Sequence, residues 1–114
     1  MKKIVSTYLP RTERDYGVVG KKTNFKDVNG NELCVGDMVE FELDFADGTF
    51  TEPIIDYCNN DIFIMGVQML CYHETGTFDE EILSVRKVKD HSELNIGDVL
   101  SDGDLKVVYV EETV

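Results

Sequence analysis

Cysteine is scarce in this chain: Cys34, Cys58 and Cys71 are three among 114 residues, an odd number with no Cys-x-x-Cys pair. That usage argues against a disulfide framework and for a reducing, cytoplasmic setting. No apolar run approaches the roughly eighteen residues that a membrane span requires, and no signal-peptide core follows Met1-Lys2-Lys3. There is no Gly-x-Gly-x-x-Gly, no P-loop and no Gly-x-Ser-x-Gly, so nucleotide hydrolysis and serine-nucleophile chemistry have no sequence support. Positive charge is missing over the longest stretch of all. Residues 27–85 contain no Lys or Arg, against fourteen Asp and Glu.

What is present belongs to a foldable, soluble, single-domain chain: 42% apolar and 30% charged residues, with a formal charge of −12. Such a balance makes the phosphate backbone of nucleic acid an unfavourable direct partner. The few cations are gathered at the start, where residues 1–26 carry seven basic groups against two acids, and at Arg86-Lys87-Val88-Lys89. The division is a basic N-terminal strand or arm over residues 1–22, then one β domain over 23–114. Either these cations fold onto the acidic middle, or an acidic surface stays open to a cationic partner.

Alternation with a period of two dominates over helical spacing. Across residues 38–45, apolar Val39, Phe41, Leu43 and Phe45 alternate with Glu40, Glu42 and Asp44, as in a strand with one buried and one wet face. Asp47-Gly48 supplies a hairpin turn before a return strand that begins at Thr49. Pro53 lacks an amide donor, which places it at an edge or a break. Asn59-Asn60-Asp61 marks another turn. The apolar residues 62–72 then predict a central buried strand, or two strands bent at Gly66. Residues 3–9 and 82–88 also read as strands. Residues 98–100 and 105–110 flank the turn signal Ser101-Asp102-Gly103-Asp104. Only residues 90–95 suit a helical turn, with Ser92 as its cap. The fold class is mainly β, a small and strongly bent antiparallel barrel or sandwich. A short internal echo joins Glu32-Leu33-Cys34-Val35-Gly36-Asp37 to Glu93-Leu94-Asn95-Ile96-Gly97-Asp98, each a glycine-containing turn that launches a strand.

Chemical constellations are few. Asp27-Val28-Asn29-Gly30-Asn31-Glu32 fails the calcium-loop template, because glycine stands fourth and no glutamate stands twelfth; an Asn29-Gly30 hairpin turn accounts for it. Cys71-Tyr72-His73 offers a thiolate and an imidazole, but Cys34, Cys58 and His91 show no ligand spacing, so neither metal nor cofactor is expected. Asp79-Glu80-Glu81 is a carboxylate cluster that reads as a charged loop. Glu40, Glu42 and Asp44 form the most suggestive pattern. Same-face strand positions are about 6.6–6.8 Å apart. The row reads first as the wet face of an amphipathic strand, and alternatively as carboxylates at a pitch that could imitate a nucleic-acid backbone.

Thr23-Asn-Phe-Lys-Asp-Val-Asn-Gly-Asn-Glu-Leu-Cys-Val-Gly-Asp-Met-Val resembles the N-terminal signature of the YopX-like proteins of phages and prophages, approximately T-G-L-x-D-x-N-G-x-E-I-x-x-G-D-I-V. Thr23, Asp27, Asn29, Gly30, Glu32, Gly36, Asp37 and Val39 match, and Phe25, Leu33 and Met38 are apolar exchanges, while Asn24 replaces a glycine. Ile96-Gly97-Asp98-Val99 resembles the family's closing I-G-N-I segment. The resemblance implies a small β-rich protein of a mobile element and carries over no catalytic residue.

These features predict a non-enzymatic cytoplasmic protein that binds a basic protein surface, with Glu40, Glu42, Asp44, Asp79, Glu80 and Glu81 as contacts. One specific form is a nucleic-acid mimic that inhibits a host defence nuclease. The alternative is a nucleotide-type ligand stacked on Tyr57, Tyr72 and Phe78, with Arg11 and Arg14 offsetting the acidic balance. No membrane partner is expected, and edge strands allow a homodimer.

Overall fold

The computed structural model of the protein describes residues 1–7, 16–59, 61–65, 71–72 and 82–111, with Ser6, Cys71 and Tyr72 by backbone alone. Its strands are β1 (Lys2–Ser6), β2 (Lys22–Lys26), β3 (Glu32–Cys34), β4 (Met38–Leu43), β5 (Thr49–Cys58), β6 (Asp61–Ile64), β7 (Cys71–Tyr72), β8 (Ile82–Lys89), β9 (Val99–Leu100) and β10 (Leu105–Tyr109). They form three antiparallel sheets, ordered β1-β10-β9, β2-β3 and β7-β6-β5-β4-β8. Among the described residues the helical pieces are single 3-10 turns, His91–Glu93 and Ser101–Gly103. The chain is mainly β, as its alternation predicts.

Burial follows the alternation in β4, where Val39 and Phe41 are buried and Glu42 is exposed. In β8 it does not. Ile82 and Val85 are the buried pair, three residues apart, while Leu83, Ser84 and Arg86 are exposed. A bulge causes the offset. Ser84 has φ 54, and the register slips between Glu42↔Leu83 and Glu40↔Arg86, so one extra residue on β8 restores the facing of its neighbours. One core draws on all three sheets, with Ile4, Phe25, Leu33, Phe41, Ile54, Ile62 and Leu105 each at most 1% exposed. Burying each such side chain contributes about 1.5–3 kcal/mol.

A strap at residues 16–20 ties the sheets together. Ile4 donates to the Gly17 carbonyl (3.1 Å), Gly17 to Ile55 (2.8 Å) and Gly20 to Val35 (2.8 Å). β1 itself pairs along its length with β10, Lys2 opposite Tyr109 and Ser6 opposite Leu105. The described parts of the basic N-terminal segment are thus woven into the sheets.

Several local expectations are corrected. β5 runs without a break through Pro53 and is an interior strand. The missing amide is tolerated because it falls at a handover: Pro53 is the last residue opposite β4, and Ile54 the first opposite β6. The apolar residues 62–72 do not make one central strand. They contribute β6 and β7, paired antiparallel at Ile62↔Cys71, with β7 at the sheet edge; Gly66 lies outside the described residues. Strand β4 stops at Leu43, where Ala46 donates to the Leu43 carbonyl (3.2 Å). Phe45 consequently leaves the buried face and is 70% exposed. Around residue 91 the cap is Asp90, not Ser92. The Asp90 side chain accepts from the Ser92 amide and the Glu93 side chain accepts from the Asp90 amide, a reciprocal capping box.

Candidate functional site

The outward face of β4, β5 and β8 carries Glu40 and Glu42, opposite Thr51 and Thr49 on one side and Arg86 and Leu83 on the other. A groove of about 390 Å³ runs over it, lined by Val28, Glu40, Phe41, Glu42, Thr49, Ser84 and Arg86. Glu40 is ion-paired with Arg86, which the β8 bulge turns to the same face. Asp44 lies beyond the end of the strand. The regular row of three carboxylates expected from the alternation is therefore not formed. What remains is an acidic hairpin end, where Glu42, Asp44 and Asp47 have no ion-pair partner among the described residues. They flank the exposed Phe45 along the chain, and Phe41 and Phe50 stack on each other at 5.8 Å. Asp79, Glu80 and Glu81 lie outside the described residues.

Tyr57, the expected stacking platform, is already occupied. Its ring meets Phe25 edge-on at 6.5 Å, the Lys21 ammonium sits 5.9 Å from its centroid, and its hydroxyl accepts from Asn24 Nδ2 at 2.6 Å. Of its proposed companions, Arg11, Arg14 and Phe78 and the side chain of Tyr72 lie outside the described residues.

Two acids of the signature segment, Asp27 and Asp37, are buried and structural, whereas Glu32 is exposed. Asp27 is 7% exposed. Its Oδ1 accepts from the amides of Asn29 (3.0 Å) and Asn31 (2.8 Å), and its Oδ2 from Asn31 Nδ2 (3.1 Å) and the Lys87 amide (2.9 Å). Together with the bond from Val28 to the Val85 carbonyl (2.9 Å), this covers part of the outer edge of β8 with the β2–β3 turn. Burial pushes the Asp27 carboxyl up, but the hydrogen bonds, led by that from Lys87, outweigh it and leave the group below its ordinary value. A depressed folded value stabilises the protein above the unfolded value and ceases to do so as pH falls through the folded one. Asp27→Asn should accordingly lower the urea midpoint at neutral pH, by about 1–3 kcal/mol in free energy, and by less below the unfolded carboxylate range. A difference from wild type that stays the same at both pH values would contradict this account.

The internal echo is a structural repeat. Asp37 donates its amide to Cys34 O (3.1 Å) and accepts at Oδ2 from Cys34 N (2.8 Å); Asp98 does the same with Asn95, at 3.0 and 2.8 Å. Gly36 and Gly97 have φ +98 and +97, and each donates to a strand carbonyl, Ile54 or Val107, at 2.8 Å. Those strand residues donate back to the aspartate carbonyls at 2.9 Å. Side-chain and backbone hydrogen bonds of one turn suffice to explain the recurrence.

The first turn also builds a polar knot that the spacing does not reveal. Asp37 is fully buried. Its Oδ1 accepts from the His91 amide (2.7 Å) and His91 Nδ1 (2.9 Å), and its Oδ2 faces Lys87 Nζ at 3.3 Å besides the Cys34 amide. Lys87 Nζ also bonds Asp90 Oδ1 at 2.9 Å. Cys34, Asp37 and His91 each place a donor atom within 4.8 Å of the others. Burial, and next the Asp37 charge, push the Cys34 thiol up, the opposite of an activated nucleophile. The only sequence signal for this meeting is the buried Gly36-Asp37 turn, because His91 arrives from β8 and its following turn. Searches of family models, curated proteins and solved structures find no match to this chain. Among the described residues no helix is long and apolar enough to cross a membrane.

Proposed function

We propose that the chain is a non-enzymatic interaction protein of a phage or prophage, acting in the host cytoplasm. Its acidic hairpin end receives a basic protein surface. The carrying observation is Phe45, 70% exposed and flanked along the chain by the exposed Glu42, Asp44 and Asp47 in a protein of net charge −12. An exposed aromatic ring among carboxylates suits Arg or Lys side chains, which gain ion pairs and a ring face together. Mobile-element origin rests on the YopX-like segment. The buried positions Thr23, Phe25, Asp27, Leu33, Gly36, Asp37 and Val39 of that segment build the fold, which leaves the exposed hairpin free to read a partner. Partner capture from host cells followed by titration of the purified pair tests the proposal. Phe45→Ala should weaken binding by about 2 kcal/mol, roughly thirtyfold. The triple change Glu42→Gln, Asp44→Asn, Asp47→Asn should remove most of the salt dependence. Neither variant should shift the melting temperature appreciably, since these positions are exposed. A basic partner that binds both variants like wild type would overturn the assignment.

A further inference from the structure

We propose that Cys34, Asp37 and His91 form a binding site for one divalent transition-metal ion, with Zn²⁺ the best fit. The three side chains converge from two distant segments, the end of β3 with its following turn and the 3-10 turn after β8, with their donor atoms within 4.8 Å. A thiolate, an imidazole and a carboxylate are the donor types that zinc takes in tetrahedral sites.

The support that such ligands need is already in place. Asp37 is held from behind by two backbone amides, Cys34 N on Oδ2 and His91 N on Oδ1. Those bonds orient the carboxylate and are untouched by a cation on its other side. The two remaining contacts of Asp37 come from positive or protonated side-chain groups, which a cation replaces. Lys87 Nζ is nearer to Asp90 (2.9 Å) than to Asp37 (3.3 Å), so it retains a carboxylate when the metal enters. His91 Nδ1 becomes a ligand in the tautomer protonated on Nε2. Cys34 gives up its thiol proton, so one proton leaves per ion bound.

Charge favours the exchange. Without metal, Asp37, Asp90 and Lys87 leave the cluster with one net negative charge. With Zn²⁺ and the Cys34 thiolate it is neutral, which suits a fully buried carboxylate. Entry is from the His91 side, where the side chain is 27% exposed. Asp90 Oδ2, 3.7 Å from His91 Nδ1, is an oxygen within reach of the fourth position, with water as the other occupant.

Cobalt(II) titration of the reduced full chain tests this directly, because cobalt–thiolate coordination produces a charge-transfer absorption in the near ultraviolet. The expected result is a band saturating at one equivalent and displaced by Zn²⁺. It should persist in a Cys58→Ser, Cys71→Ser variant and vanish in Cys34→Ser, a nearly isosteric change that preserves the fold. One equivalent of Zn²⁺ should raise the melting temperature of the wild type and not of Cys34→Ser. His91→Gln, which removes a ligand, should weaken cobalt binding at least tenfold, the loss of a group that merely hydrogen-bonds a ligand already costing about 10–100-fold. Absence of the band, or a band that survives Cys34→Ser, overturns the proposal.

Discussion

Replacing Asp37 with alanine is expected to remove about 3–5 kcal/mol of folding stability, a large share of the roughly 5–15 kcal/mol that holds a domain together. Asp37 is fully buried and answers four donors: the amides of Cys34 and His91, the His91 ring and Lys87. Alanine leaves all four facing a void, and the Lys87 side chain is only 18% exposed. Burial works against the Lys87 charge, but Asp90 and Asp37 together keep its ammonium above its ordinary value. Removing Asp37 therefore leaves two amides and the His91 ring without their acceptor, and leaves the half-buried Lys87 ammonium with Asp90 as its one remaining carboxylate partner among the described residues. Asp37→Asn keeps one acceptor oxygen and turns a donor toward Lys87, so an intermediate loss is expected. Urea unfolding measures both, and a double cycle with Lys87→Met isolates the ion pair. An alanine variant within about 1 kcal/mol of wild type would show that the knot is not what joins β3 to the end of β8.

Gly36→Ala should cost more than Gly97→Ala although the two turns share one hydrogen-bond pattern. Both glycines have φ close to +100°, at +98 and +97, where a side chain costs about 1–3 kcal/mol. Their surroundings differ. A Cβ on Gly36 would meet Val19 Cγ1 at 3.0 Å and both His91 Cβ and Leu94 Cδ1 at 3.1 Å, whereas one on Gly97 meets nothing within 4 Å. Overpacking adds about 1–3 kcal/mol at the first site only. Crowding at Gly36 would also push His91 away from Asp37, so the two most destabilising substitutions act on the same junction. Equal losses at the two glycines would assign the whole effect to backbone strain.

How much of this was legible in the chain can be seen residue by residue. The alternation of Val39, Glu40, Phe41 and Glu42 specifies β4 and its buried face, because strand side chains point alternately to opposite sides whatever they pack against. Asn29-Gly30, Asp47-Gly48 and Asn59-Asn60 mark reversals for equally local reasons. Legibility ends where a residue's fate depends on a partner far along the chain. Asp44 and Phe45 continue the alternating pattern, yet the turn closing at Ala46 removes both from the sheet. Arg86 neutralises Glu40 only because the Ser84 bulge brings it to that face, and a bulge has no compositional mark when the residue at positive φ is serine. The meeting of Cys34, Asp37 and His91 spans more than fifty positions of sequence and has no spacing to announce it.

By itself, then, the order of amino acids determined a strand-rich protein with turns at identifiable places, a strong negative balance and a matched pair of glycine–aspartate turns. These are short-range properties, governed by backbone sterics and by hydrogen bonds between near neighbours. Tertiary structure alone decided which acids are neutralised, which line an open surface and which are sealed beside a thiol and an imidazole. Those outcomes depend on strand register and on burial, and both arise only when segments remote along the chain are packed together.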